Sequence, residues 1–487
     1  MYLTTPIYYA NDVPHIGHAY VTIAADAVAR YYRLRGQQVF LLTGTDEHGV
    51  NIERIASRRG VHPQTHVDEI AAAFTQLWQR LDIQYDRFIR TTEPEHVRTA
   101  LDLWSRLQAS GDLYRGTYEG DYCPRCEAYY QPDELLDGDC PVHHLPCEHL
   151  QEENWFFRLS NYQAQLERLI GETDFVQPPT RRNEVLGVLR QGLKDFSVTR
   201  RQVSWGIPVP ESPGEVLYVW VDALANYLSG GPWPADTHLV GKEIVRFHCL
   251  YWPALLLSAG LALPRRVFAH GWLTKDGQKI SKTTGNTIDP GALVDRYGSD
   301  AVRYYFVRAV PFGKDGDFTE QAFLATYNGD LANGFGNLVQ RATALATRHP
   351  DAGSRAPATS AEDKLRRAAE ALPTRIEAAF DTLALHEAAT AVGEFVRAVD
   401  RYLDATEPWK QRDPERLATV LDHVVEATRV AAWYYAPFIP RAALEAHCRL
   451  IGTPPVPDGG AFEARPRGTV RTGEPLFARQ KTSPGGR

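Results

Sequence analysis

The spacing of apolar residues predicts a strand, a helix and a second strand at the start of the chain. Residues 2–9 are rich in β-branched and aromatic side chains, and residues 18–34 carry apolar side chains at helical intervals. Residues 39–42 are continuously apolar, as in a buried parallel strand. In such a strand–helix–strand unit, ligands bind at the carboxyl ends of the strands. The pattern therefore places residues 15–18 and Asp46 at a ligand-binding edge.

Further apolar segments come much later in the chain. Residues 217–220, 238–240 and 267–269 read as buried strands. After about residue 325 the pattern becomes helical, with apolar residues at three- and four-residue steps across 385–403 and 417–431. The sequence therefore predicts an α/β part followed by a helical part.

Length, composition and charge limit the choice of protein class. A chain of 487 residues is too long for one ordinary core and suggests two or three domains. No apolar run approaches the roughly 20 residues that span a bilayer, and no secretory leader is recognisable, so we expect a cytoplasmic protein without a membrane partner. The net charge of −7 argues against binding of nucleic acid by bulk electrostatics. An RNA partner would have to meet local basic patches.

Four of the six cysteines fall within residues 123–147, which in such a chain favours metal binding over disulfides. One set of four has the spacing of a tetrahedral zinc knuckle: Cys123, Cys126, Cys140 and His143. Three neighbours are alternative ligands: His144, Cys147 and His149. A closed structural site of this kind leaves no open position for catalysis. A redox-active dithiol is the lesser alternative.

Two short motifs carry candidate chemistry. In His15-Ile16-Gly17-His18, two imidazoles and a glycine stand where a strand gives way to a helix, and helix starts favour anions. In the second, Lys279-Ile280-Ser281-Lys282-Thr283, the lysines Lys279 and Lys282 can stabilise charge when pyrophosphate leaves an α-phosphate. Taken singly, the first motif could be a turn with ordinary histidines and the second a solvated surface loop.

Together and in this order, the two motifs resemble the two signatures of class I aminoacyl-tRNA synthetases. The second position of the lysine signature is normally Met and here is Ile280, which still supplies an apolar anchor. From residues 5–9 to residues 407–409 the chain resembles the methionyl-tRNA synthetases, in particular the short bacterial type with one zinc knuckle.

This resemblance implies roles for individual residues. Eight positions match the methionine site: Ile7, Tyr9, Asp46, Trp220, Ala223, Leu224, Tyr227 and His248. Six match the ATP site: His15, Gly17, His18, Gly241, Glu243 and Lys282. Three match anticodon readers: Asn337, Arg341 and Trp409. Asp46 would hold the substrate amino group, and Glu243 stands where some relatives carry Asp.

The resemblance also implies a fold of α/β class. We expect a Rossmann-like doubly wound parallel-sheet catalytic domain, an inserted connective domain with the zinc knuckle, and a C-terminal α-helical bundle. The corresponding segments are a first catalytic half (1–114), the insertion (115–200), the second catalytic half with the lysine loop (201–325), the anticodon-binding bundle (326–451) and a tail (452–487). The appended C-terminal domain of longer relatives is not recognisable, so we expect a monomer.

The activity implied is a two-step ligation. Methionine and Mg²⁺-bound ATP give methionyl-adenylate, and the 3′-terminal adenosine of tRNA(Met), including the initiator tRNA, then accepts the methionyl group, first on its 2′-hydroxyl. We expect catalysis by positioning and charge stabilisation from His15, His18, Lys279 and Lys282, with no protein nucleophile. Structural Zn²⁺ and Mg²⁺ with ATP are the metals expected, and ATP, L-methionine and tRNA the partners.

Competing interpretations are less favoured. Synthetases for leucine, isoleucine or valine usually carry a large editing insertion, and those for cysteine place a zinc-binding cysteine early, whereas the first cysteine here is Cys123. An adenylate-forming paralogue outside translation is disfavoured by the anticodon positions. A non-catalytic RNA-binding protein on the same scaffold would be expected to lose His15, His18 or Lys282, and all three are present.

Overall fold

The structure is a computed structural model that describes residues 1–123, 128–130, 135–141, 144–201, 203–280, 288–350, 354–463 and 468–481. Its strands are β1 (Tyr2–Tyr9), β2 (Phe40–Asp46), β3 (Arg87–Arg90), β4 (Leu113–Cys123), β5 (Ala128–Tyr130), β6 (Glu148–Phe157), β7 (Val176–Gln177), β8 (Phe196–Ser197), β9 (Thr199–Arg200), β10 (Val216–Leu217), β11 (Thr237–Gly241), β12 (Val267–His270), β13 (Leu273–Lys275), β14 (Gln278–Lys279) and β15 (Gly316–Phe318).

The α-helices are α1 (Ile16–Leu34), α2 (Val50–Arg59), α3 (Pro63–Arg80), α4 (Pro94–Ala109), α5 (Gln163–Glu172), α6 (Pro179–Leu189), α7 (Val219–Ser229), α8 (Trp252–Ser258), α9 (Pro290–Tyr297), α10 (Ser299–Ala309), α11 (Glu320–Thr326), α12 (Asn337–Arg348), α13 (Ser360–Glu370), α14 (Leu372–Asp381), α15 (Leu385–Thr406), α16 (Pro414–Tyr435) and α17 (Pro440–Ile451). Short 3₁₀ helices cover Leu159–Tyr162, Lys242–Ile244 and Pro408–Lys410, and π-helical segments cover Phe247–Tyr251 and Tyr327–Gly336.

The chain divides into two compact units. The first contains Met1–Pro14, Phe40–Leu77 and Gln84–His270, and the second contains His15–Val39, Trp78–Ile83 and Gly271–Arg487. The boundaries of the five predicted segments stay a prediction.

The first unit is built on a six-stranded parallel sheet with strand order β3-β2-β1-β11-β12-β7. From β1 the strand order runs outward through β2 and β3 on one side and through β11 and β12 on the other, with β7 added at that edge. This central reversal is typical of doubly wound dinucleotide-binding folds, so the predicted Rossmann-like class is confirmed. The strands are mostly buried, because both faces of the sheet are covered by other parts of the chain. A separate antiparallel sheet, β5-β4-β6-β8, comes from residues 113–197.

One predicted strand is wrong. The sequence predicts a buried strand at residues 217–220, but β10 ends at Leu217 and α7 begins at Val219. The short apolar run fits either structure, and the apolar residues that continue to Tyr227 favour a buried helix.

The second unit is mainly helical, as the later part of the sequence predicts. α15 and α16 each run for 22 residues, and Pro408 follows the end of α15, where its ring cannot continue the helix. A small sheet, β14-β13-β15, accompanies the helices. None of the helices in the described ranges is both long and apolar enough to span a bilayer.

Candidate active site

The carboxyl ends of β1 and β2 bring three predicted site residues together in the first unit. Tyr9 pairs with Asp46 and Ile7 with Gly44 in the parallel register, and Ala10 N donates a hydrogen bond to Asp46 O at 2.8 Å. The side chains of Ile7, Tyr9 and Asp46 are only partly buried. The expected ligand-binding edge therefore carries a carboxylate beside an aromatic ring.

Glu47, directly after Asp46, is a residue that the sequence motifs did not single out. Its buried carboxylate accepts hydrogen bonds from Arg90 Nε and Thr45 Oγ1, both at 2.6 Å, and its backbone N–H donates to Thr91 Oγ1 at 2.9 Å. Trp205 Nε1 donates to Glu47 O at 2.6 Å. These bonds fix the backbone that presents Asp46. The signal in the sequence is an acidic residue at a strand end, although its partners are distant in the chain.

The four methionine-pocket residues predicted between positions 220 and 227 all lie on α7. Ala223, Leu224 and Tyr227 are buried, while Trp220 is partly exposed and stacks on Phe247, with 3.7 Å between ring centroids. The positions follow helical spacing, so α7 presents one face of apolar and aromatic side chains.

Tyr227 and His248 form a buried polar pair. Their side chains are 1% and 2% exposed, and Tyr227 Oη lies 2.8 Å from His248 Nε2. His248 Nδ1 lies 3.0 Å from Ile244 O, which can only accept, so the ring donates through Nδ1 and accepts the Tyr227 hydroxyl proton at Nε2. Burial lowers the pKa of His248 to about 4 and raises the pKa of Tyr227. The pair is therefore uncharged at neutral pH.

Gly241 and Glu243, two predicted ATP contacts, lie together at the end of β11. Gly241 is the last residue of the strand, and Glu243 stands in the following 3₁₀ turn. The carboxylate of Glu243 lies against the Gly241 Cα, where the Cβ of any other residue would overlap it. Glycine at this position therefore leaves room for an acidic side chain beside the strand end.

In the second unit, His15, Gly17 and His18 form the start of α1. Gly17 N donates to His15 Nδ1 at 3.1 Å, His15 N donates to His18 Nδ1 at 3.2 Å, and the two rings stack with centroids 3.8 Å apart. Because each Nδ1 accepts, the proton of each neutral ring lies at Nε2. A Cβ on Gly17 would lie 2.9 Å from His15 Cε1, which is too close. The histidines are thus both helix caps and Nε2–H donors.

The lysine signature is only partly within the described residues. β13 and β14 form a hairpin through Asp276 and Gly277, both with positive φ, and Gly277 N donates to Asp317 Oδ1 at 2.9 Å. Lys279 is the last residue of β14. Lys282, with its neighbours Ser281 and Thr283, lies outside the described residues.

Two of the four predicted zinc ligands can be placed. Cys123 and Cys140 are 1% and 0% exposed. Burial, followed by the charges of Cys123 and Cys140, raises the pKa of Cys147 to about 11. Cys126 and His143 lie outside the described residues, and within the described part no three His, Cys, Asp or Glu side chains are arranged to hold a metal ion.

The predicted anticodon residues lie on the helices of the second unit. Asn337 and Arg341 are four residues apart on α12, and the Arg341 guanidinium lies 5.9 Å from the ring centroid of Trp409, which is 49% exposed. Arg341 also forms ion pairs of 3.0 Å with Asp400 and Asp404. An exposed aromatic ring beside an arginine is a suitable platform for an unstacked base.

The chain matches one family model along most of its length. The model for class I tRNA synthetases (M) matches residues 1–149 and 146–343. The methionine–tRNA ligase of Thermosynechococcus vestitus is 47% identical over 463 residues, with 90% of this chain and 88% of the relative covered. The ligase of Nostoc sp. is 46% identical, with 92% and 89% covered.

A solved structure shows the same likeness. The methionyl-tRNA synthetase of Mycobacterium tuberculosis in complex with methionyl-adenylate superposes with a TM-score of 0.95 at 38% identity, and the match covers 98% of this chain and 99% of the other.

Proposed function

The chain belongs to the methionyl-tRNA synthetase family of class I tRNA synthetases, and on that premise we propose the roles of its residues in the reaction. Its function is the ligation of methionine to tRNA with ATP as the energy source. The observation that carries the residue assignment is the buried Tyr227–His248 pair. Tyr227 lies on α7, and His248 lies in the π-helical segment Phe247–Tyr251. An apolar pocket with an uncharged polar pair suits an uncharged side chain such as a thioether.

Asp46 binds the ammonium group of the substrate. A carboxylate at the end of β2, with its backbone fixed by Glu47, provides a charge-assisted partner for a free ammonium. Ile7, Tyr9, Trp220 and the buried residues of α7 surround the side chain. An apolar pocket distinguishes substrates that differ by one methylene by about 1–3 kcal/mol, so homocysteine and leucine are the expected near-misses.

His15 and His18 stabilise the charge that develops on the phosphates. The methionine carboxylate oxygen bonds to the α-phosphorus, the bond from the α-phosphorus to the bridging oxygen breaks, and pyrophosphate leaves. The Nε2–H groups, fixed by the caps at each Nδ1, donate to phosphate oxygens. Lys279 and Lys282 contribute positive charge, and Gly17, Gly241 and Glu243 bind the nucleotide. No side chain acts as a nucleophile.

The second step transfers the methionyl group to tRNA. The 2′-hydroxyl of the 3′-terminal adenosine attacks the carbonyl carbon, and AMP leaves. Asn337, Arg341 and Trp409 read the anticodon, with Trp409 stacking on a base and the Arg341 guanidinium lying beside the Trp409 ring. We also propose that the protein is a monomer and acts in the cytoplasm. Sedimentation velocity tests the monomeric state.

Two metals accompany this function. Mg²⁺ bound with ATP would neutralise phosphate charge. Zn²⁺ would be held by Cys123, Cys126, Cys140 and His143, with His144, Cys147 and His149 as alternative ligands, and would stabilise the antiparallel β4–β6 region. We expect about one zinc per chain in protein purified without chelator, measured by inductively coupled plasma mass spectrometry. Protein that is folded, active and free of zinc would contradict the assignment.

The function is tested by charging total tRNA with each labelled amino acid in the presence of ATP and Mg²⁺. Charging with methionine alone is the expected result. Methionine-dependent ATP–pyrophosphate exchange without charging would instead identify an adenylate-forming paralogue, and absence of both reactions would contradict the proposed roles.

A further inference from the structure

A buried carboxylate, Asp222, lies between two histidines in the first unit. Burial raises the pKa of Asp222, but His48 and His96 lower it to about 2, so the carboxylate is charged at neutral pH and can only accept hydrogen bonds. Asp222 Oδ2 accepts from His48 Nδ1 and Asp222 Oδ1 accepts from His96 Nε2, each at 2.7 Å. Asp222 and His96 are 1% and 0% exposed.

The three residues stand on three different segments. His48 follows β2, two residues after Asp46, and His96 lies in the first turn of α4. Asp222 lies in the first turn of α7, where the helix dipole favours a negative charge. The network therefore joins the segment that carries Asp46 to the helix that carries the predicted methionine pocket.

His96 also fixes the rotation of α7 about its axis. Its Nδ1 lies 2.9 Å from Ser229 Oγ, and Ser229 and Asp222 are seven residues apart, which places them on one face of the helix. At about 100° per residue, Trp220 and Tyr227 lie roughly on the opposite face. A side chain that holds both Asp222 and Ser229 thus sets the direction in which the pocket residues point.

A role in stability alone would not require these groups. Apolar side chains of similar volume often replace a buried ionic cluster without loss of stability, because the charges no longer have to be desolvated. The polar network is instead directional, since each bond fixes the orientation of a ring or a helix.

We propose that Asp222 and His96 are positioning residues of the methionine site, and that they hold the segment of Asp46 and the pocket face of α7 in a fixed relation. Neither residue needs to contact the substrate. The proposal rests on the function proposed above, because it assumes that Asp46 receives the ammonium group and that α7 lines the side-chain pocket.

The test compares His96→Leu with His96→Gln in ATP–pyrophosphate exchange. Leucine removes both bonds of the ring, so the KM for methionine should rise about tenfold while the KM for ATP stays unchanged. Glutamine places an amide donor where Nε2 stood, so its KM for methionine should stay within about twofold of wild type. Ser229→Ala, which removes only one of the two bonds of the His96 ring, should raise the KM for methionine about threefold.

Trp104→Phe is the matched control, because Trp104 is buried on the same helix α4 and contacts Trp155 in the core. It should lower the melting temperature without changing either KM. The proposal is overturned if His96→Leu and Ser229→Ala leave the KM for methionine unchanged, or if His96→Leu raises both KM values equally. Absence of methionine-dependent exchange in the wild-type protein would overturn the proposed function itself.

Discussion

The hydroxyl of Tyr227 is the smallest group on which the proposed methionine pocket depends. Tyr227→Phe removes the donor to His248 Nε2 and leaves a buried acceptor without its partner. A lost hydrogen bond of this kind is worth about 1–1.5 kcal/mol, so the KM for methionine should rise about tenfold in ATP–pyrophosphate exchange. The KM for ATP should not change.

Tyr162→Phe provides the control for this variant. Its hydroxyl bonds to Asp112 in the same unit, but no predicted pocket residue takes part. If both variants changed the KM for methionine equally, the assignment of Tyr227 to the pocket would fail.

The buried ring of His248 predicts a pH dependence of stability. Its pKa is about 4 in the folded chain, against about 6.5 for a histidine in an unfolded one, so between these values the unfolded state binds more protons. Stability is therefore complete above about pH 6.5 and falls as the pH drops, by at most about 1.4 kcal/mol per pH unit for this one group. Urea unfolding at pH 7 and pH 5 should show a smaller difference for His248→Gln than for wild type, and an identical difference would contradict the pKa.

At the scale of one element, the start of α1 depends on Gly17. A methyl group there would lie 2.9 Å from His15 Cε1, so the imidazole must shift away from the position in which it caps Gly17 N. Since the Nε2–H donors are then misdirected, Gly17→Ala should slow adenylate formation roughly tenfold or more, with little change in melting temperature.

Gly393→Ala is the matched control because Gly393 stands inside α15, where an added Cβ would meet Tyr435 Oη at an ordinary 3.5 Å. Helix propensity predicts a gain in stability of about 0.5–1 kcal/mol and no change in rate. Equal rates for the two variants, measured by adenylate formation in a single turnover, would remove the special role of Gly17.

The elements show where sequence patterns suffice. β1, α1 and β2 are long and strongly patterned, so their type and the ligand-binding edge at Asp46 follow from the sequence. Residues 217–220 are too short a run to distinguish a strand from a buried helix, and there the prediction is wrong. The capping role of His15 and His18 is also invisible in the sequence, because histidine is not a usual capping residue.

At the scale of the whole molecule, the family and the α/β fold could be predicted from the sequence. The contacts that hold the site residues in position could not. Asp222 is bound by His48 and His96, which are 174 and 126 residues away in the chain. No periodicity or local motif relates positions so distant, since only the folded sheet and helices bring them together. The same holds for Arg90 at the end of β3, which forms an ion pair with Glu47 directly after β2.

A buried ion pair makes the second unit depend on distant segments in the same way. Arg303, on α10, is 0% exposed and lies 2.6 Å from Asp26 of α1, and it donates to Leu81 O at 3.2 Å and to Pro437 O at 3.0 Å. Arg303→Met keeps much of the volume but removes every donor. It should lower the free energy of unfolding in urea by about 3 kcal/mol or more, because Asp26 loses a buried partner.

The exposed pair of Arg366 and Asp363 is the control, and Arg366→Met should cost less than about 1 kcal/mol. Combining Arg303→Met with Asp26→Asn should recover part of the loss, because the double variant no longer buries a carboxylate that has lost the Arg303 guanidinium. If the double variant were instead as unstable as the sum of the two single variants, the carbonyl contacts of Arg303, and not its charge, would be what holds α1 and α10 together.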